Sequence, residues 1–198
     1  MPPCSICPRE LKMNAHSKAA RYSRATALLH WIGVVLMMLI VLSAELRHLC
    51  VRADLISMRL AMVTHIGSAM AILFLVIPRL IARLMGPRVP PLHAGSPLVR
   101  WTAHAVHIGL YVFLVAECLI GWAIVNAKGM RIPMPVLGFE FPALVPEHAR
   151  LVHWTVTAHM ALGYLLYTVL VLHIGAALWH HFVQRDGIMR RMSLSSNP

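Results

Sequence analysis

Residues 151–183, LVHWTVTAHMALGYLLYTVLVLHIGAALWHHFV, decide the fold. The stretch carries no Asp, Glu, Lys or Arg. It exceeds the ~20 apolar residues that cross ~30 Å of hydrocarbon. Backbone groups in lipid must be satisfied within the segment, so it is a helix. His159 and His173 stand inside it, 14 residues apart. At ~100° per residue they lie ~40° apart around the helix axis and ~21 Å apart along it. One helix thus offers a ring nitrogen near each membrane surface, both towards one interior.

Working outward, three more apolar segments precede it, at about residues 25–46, 59–82 and 102–125. Each is long enough to span a bilayer. The expected fold is an all-α, integral membrane four-helix bundle formed by residues 22–192. Residues 1–21 read as a mobile basic tail with no secretory signal, and residues 193–198 as a short C-terminal tail. Met13 is a second possible start. Of the 198 residues, 59% are hydrophobic and 13% charged, against ~25% charged in soluble domains. The net charge of +11 would suggest nucleic acid in a soluble chain. Here the basic residues lie between apolar stretches, where they meet lipid headgroups, so no nucleic-acid partner is expected.

The flanks set the orientation. Arg and Lys number 12 in the N-terminal tail, the second connection and the C-terminus, against 6 on the opposite side. Both termini are therefore expected in the cytoplasm. The third connection, residues 126–150, is apolar and Pro-rich, and is expected to fold back over the membrane face. Cys4 and Cys7 form a CxxC without a second pair, which is weak support for zinc. No CxxCH occurs, so no covalent haem attachment is encoded.

Thirteen His are present, several deep in apolar helices where an unpaired ring is costly. Helices 1 and 3 run outward and helices 2 and 4 inward. His30 then matches His173 in depth near the cytoplasmic side, and His65 matches His159 near the outer side. Two bis-imidazole sites stacked across a membrane suit two non-covalent b-type haems, and leave no open position on iron. The competing reading is four hydrogen-bonded His, as in a proton relay.

The ordered motifs resemble the bacterial cytochrome b561 family, which is related to the cytochrome b subunits of hydrogenases and formate dehydrogenases. They are Tyr22-Ser23-Arg24 with His30-Trp31, His65-Ile66-Gly67 with Arg79 and Arg83, and Ala103-His104-Ala105-Val106-His107. His159 with Leu162-Gly163-Tyr164, His173, and the tail from His180 to Met192 complete the set. The resemblance covers residues 22–192. It implies haem ligation by His30, His65, His159 and His173, and a multi-pass protein of the bacterial inner membrane. It also implies electron exchange with membrane quinone, ubiquinone as electron acceptor or donor, and in one form superoxide oxidation at the outer face. The alternative is an anchor subunit that passes electrons for a separate dehydrogenase or soluble cytochrome. A haem-free bundle is a third reading.

His180 follows His173 by seven residues on nearly the same face. It reads either as a quinone-binding, proton-delivering group or as an interfacial anchor. The family's small hydroxyl two residues before the first ligand is Leu28 here. Glu117 precedes Cys118, where family members often carry Pro. It reads as a carboxyl bonded to a neighbouring helix or as a proton relay. His104 and His107 read as capping or propionate-binding groups and as substitute ligands. Arg24, Arg79 and Arg83 either neutralise propionates or reach headgroups.

Overall fold

The computed structural model describes residues 21–49, 55–90, 96–134 and 138–194. The tail before Arg21, with Cys4, Cys7 and Met13, lies outside the described residues, as do residues 195–198. Helix α1 spans Arg24–Leu49, α2 Leu55–Met85, α3 Pro97–Ala127 and α4 Ala149–Trp179. All four are long and apolar enough to cross a membrane. The protein is an all-α four-helix membrane bundle.

Helices α1, α2 and α3 are each a few residues longer than their apolar stretches, while the last residues of the fourth stretch form a π-helical turn after α4 ends at Trp179. Charged ends such as Arg24, Arg83 and Arg100 continue the helix into the headgroup region, where their charge is solvated. Helix α3 starts at Pro97, whose missing N–H is harmless in a first turn. Pro78 is inside α2, near its end.

Large apolar side chains such as Val35, Leu42, Leu60, Val63, Val112 and Leu172 stand exposed, as befits helices whose outer surface lipid covers. The α1–α2 interface is built from small side chains. Thr26, Ala27 and Ser43 on α1 and Ala61 and Ser68 on α2 are buried, which lets the two backbones approach closely. Thr26 Oγ1 donates to the Ala82 carbonyl at 3.0 Å across that interface. Helix α3 packs on α4, and the two hairpins join mainly through α2 and α3. Helices α1 and α4 touch sparsely at most, so the interior between the hairpins is not closed by backbone packing there.

The loop between α3 and α4 folds back onto the bundle end. A short antiparallel hairpin, β1 (Pro133–Met134) with β2 (Phe139–Glu140), pairs Pro133 with Glu140. Phe141 follows it into a buried cluster with Met70, Val125 and Ile132, against which Ile66, Trp122 and Met134 pack. Asn126 staples the loop, donating to the Met130 carbonyl and accepting from the Leu144 amide. Gly129 has φ +76°, and a Cβ there would lie 2.7 Å from Glu147 Oε2, so this turn requires glycine.

The other end is closed by the C-terminal segment. A π-helical turn, His180–Gln184, leads through left-handed Arg185 and Gly187 into a 3-10 turn, Ile188–Met192. Tyr22 N donates to the Arg191 carbonyl at 3.2 Å, and Trp31 Nε1 to the Met192 carbonyl at 2.9 Å. Arg191 Nη1 donates to the Pro90 carbonyl at 2.6 Å. The start of α1, the α2–α3 connection and the chain's last described turn therefore meet at one end.

Candidate functional site

Histidines gather at two levels of the bundle. The first lies towards the loop end. His65 and His159 each stand ten residues past the start of their helices, and Glu117 ten before the end of α3. At ~1.5 Å per residue all three sit ~15 Å from that end. The His65 and His159 ring centres are 6.3 Å apart, with planes at 85°. Two imidazoles on one metal, each bonded at ~2.0 Å, hold their ring centres ~6 Å apart.

Both rings are held from behind. His65 Nδ1 donates to the Ile40 carbonyl at 3.1 Å, and Ser43 Oγ is 3.5 Å from the same nitrogen. A carbonyl can only accept, so this contact puts the His65 proton on Nδ1 and leaves Nε2 as a lone-pair donor. His159 Nδ1 is paired with Glu117 Oε2 on α3. Metal-binding histidines are commonly oriented in this way, by a carbonyl or carboxylate on the second ring nitrogen. The donor chemistry at this level therefore fits a haem iron, which His65 and His159 would hold.

The second group lies towards the other end. His30 is six residues into α1, and His173 is six before the end of α4. His107 on α3 brings its ring centre to 5.3 Å from that of His173, with planes at 82°. Its Nδ1 donates to the Ala103 carbonyl at 2.6 Å, while His104 Nδ1 donates to the Arg100 carbonyl at 2.8 Å. These two rings thus bind their own helix rather than each other. Arg79 Nη2 donates to His30 Nδ1 at 2.7 Å, and its guanidinium lies 5.4 Å from the Tyr111 ring centre.

That Arg79 contact matters for ligation. A neutral His30 that accepts on Nδ1 carries its proton on Nε2, which a metal-binding nitrogen cannot. His30 fits an iron only when Arg79 releases it, and the carboxylates at a haem's edge are natural acceptors for that guanidinium. Arg83 turns elsewhere, with its guanidinium 4.4 Å from the Tyr22 ring centre.

Below this group, His180 Nδ1 is paired with Asp186 Oδ2 at 2.5 Å, and Asp186 Oδ1 accepts from the Ile188 amide at 3.0 Å. The π-helical turn and left-handed Arg185 bring Asp186 back beneath His180. A His–carboxylate pair at a membrane surface can hold a proton and orient a ring nitrogen.

Sequence reasoning placed His65 with His159 and His30 with His173 by depth. The structure brings His65 and His159 together and draws His107 towards His173. The expected contact of Glu117 with a neighbouring helix is made to His159, a partner that spacing did not name, and the His180–Asp186 contact was not anticipated. Equal distance from the loop end was the signal for the first, because α3 and α4 are antiparallel neighbours. The second depends on a helix ending that apolar patterning does not encode.

Four membrane-spanning helices with histidines gathered at two levels are the arrangement a membrane-embedded b-type cytochrome needs. The family model for prokaryotic cytochrome b561 matches residues 21–193, and the chain belongs to that family. It is 29% identical over 172 residues to a protein named probable superoxide oxidase CybB from Yersinia pestis, covering 87% of this chain and 95% of that one. It is 32% identical over 115 residues to cytochrome b561 homolog 2 of Escherichia coli strain K12, covering 58% and 60%. Cytochrome b561 homolog 1 of the same strain is 27% identical over 177 residues, covering 87% and 96%. Membership defines a bacterial integral membrane protein that binds haem b and transfers electrons.

Proposed function

We propose that the chain is a dihaem electron-transfer protein spanning the bacterial inner membrane. His65 and His159 hold one haem b towards the outer face, and His30 and His173 hold the other near the cytoplasm, where both termini lie. The observation that carries this reading is the His65–His159 pair, with ring centres 6.3 Å apart and both Nδ1 atoms engaged from behind. The motif set supports His30 and His173, with Arg79 moving from His30 to the haem edge. Bound haem supplies a one-electron redox centre. Bis-imidazole ligation leaves iron no open position, which favours outer-sphere transfer.

The chain's own groups account for the rest. His180, oriented by Asp186, hydrogen-bonds a ubiquinone carbonyl at the cytoplasmic surface and delivers a proton there. The likeness to a probable superoxide oxidase supports superoxide as the donor at the outer face. The balanced reaction is two superoxide plus ubiquinone plus two protons giving two dioxygen plus ubiquinol.

The test uses purified haem-loaded protein under a controlled superoxide flux, followed by its visible spectrum. The reading predicts reduction of the haems, then reoxidation on adding a short-chain ubiquinone. Haems that remain oxidised under the flux remove superoxide as donor. Reduced haems that quinone does not reoxidise remove the quinone site.

A further inference from the structure

Glu117 is a carboxylic acid inside a membrane helix, and it is 8% exposed. It lies outside the family's motifs. Its Oε2 is in ion-pair contact with His159 Nδ1, and neither that nitrogen nor Glu117 Oε1 makes a hydrogen bond among the described residues. A buried carboxyl in hydrocarbon is unfavourable unless it is paired, so a single ring nitrogen carries its compensation.

The space for this pair is built from both helices. Gly121 is one turn after Glu117 on α3, and a Cβ there would lie 3.4 Å from His159 Cε1. Gly163 is one turn after His159 on α4, and a Cβ there would lie 3.8 Å from Glu117 Oε1. Each helix thus presents a glycine to the other's polar side chain. Next to Glu117, Cys118 Sγ donates to the Ala69 carbonyl at 3.3 Å and ties this level of α3 to α2. Residues of α2, α3 and α4 thus meet at the level of this pair.

We infer that Glu117 is a positioning residue for the His65/His159 site. Its carboxylate accepts from His159 Nδ1–H, turns Nε2 towards the iron, and strengthens that nitrogen as a donor. The inference rests on the reading that His159 holds haem iron. The two ligands are then unequal, because His65 is backed by a neutral carbonyl. A stronger donor favours the ferric over the ferrous state. Glu117 thereby lowers the midpoint potential of this haem. It shifts the electron equilibrium towards the His30/His173 end by the same factor. Glu117 thereby adjusts which haem keeps the electron.

The test is a spectrally resolved redox titration of haem-loaded wild type, Glu117→Gln and Glu117→Leu, with haem content measured on each sample. Removing the hydrogen-bond partner behind a metal-binding histidine typically alters metal affinity or activity ~10–100-fold. In Glu117→Leu, one haem should rise in potential by at least a tenfold change in its oxidised-to-reduced equilibrium, ~59 mV for one electron, with the other unchanged. Glu117→Gln keeps a neutral acceptor and should rise less. It also serves as the readout if the Leu variant fails to load. Unchanged potentials in whichever variant loads overturn the inference. His159→Ala separates the two claims. If it loses one haem while the Glu117 variants keep wild-type potentials, the positioning role fails and the ligand reading stands. If it keeps both haems, the ligand reading fails and the inference with it.

Discussion

Truncating Phe141 to Ala should release the α3–α4 loop from the bundle end. Phe141 is 8% exposed and fills the buried cluster with Met70, Val125 and Ile132. Its ring centre lies 5.7 Å from that of Phe74, 5.4 Å from Trp122 and 5.9 Å from Phe139. Phe→Ala in a packed core costs ~3–5 kcal/mol, and aromatic pairs contribute ~0.5–1.5 kcal/mol each. The lower end suits a site at a bundle rim, so we take ~3 kcal/mol, which is roughly a hundredfold in the loop-opening equilibrium. Native-state hydrogen exchange reads this directly. The amides of Gly138, Phe141, Leu144 and His148 donate respectively to the Met134 carbonyl, the Ile132 carbonyl, Asn126 Oδ1 and the Ala127 carbonyl. They should exchange roughly a hundredfold faster in Phe141→Ala, while α4 interior amides hold their rates. Phe141→Leu keeps most of the volume and should cost less than ~1.5 kcal/mol. Loop amides in Phe141→Ala that exchange within about threefold of wild type would refute the plug.

Two other outcomes follow from single contacts. Gly129→Ala forces a Cβ onto left-handed backbone and against Glu147, and should destabilise the loop by ~1–3 kcal/mol, read as a lower Tm with haem content intact. Asp186→Asn removes the charged partner of His180 Nδ1 and should slow quinone turnover by roughly 10–100-fold while both haem spectra stay unchanged, as measured by stopped-flow reoxidation.

The sequence made the bundle readable because lipid leaves a chain few options. A long apolar stretch must be a helix, and its length fixes the span. The loop's return was readable in its apolar, Pro-rich composition, although Phe141 as its plug was not. Depth arithmetic brought His65 to His159, since both are counted from the same bundle end. It could not rank His107 against His30 beside His173, because that choice depends on how each helix is rotated. Arg79 shows the same limit. Whether a helix-end arginine reaches outward to headgroups or inward to His30 depends on packing with Tyr111, which no spacing encodes. The π-helical turn that carries Asp186 to His180 was equally hidden, since its residues continue the apolar pattern of α4.

The central claim is that four histidines hold two haems at two depths. Its most direct test is the reduced-minus-oxidised spectrum with haem quantitation on purified wild type and His159→Ala. The account predicts two haems b per chain in wild type. In the variant it predicts one, with the remaining haem keeping the spectrum of the His30/His173 site. Two haems retained in His159→Ala, or one in wild type, would contradict it.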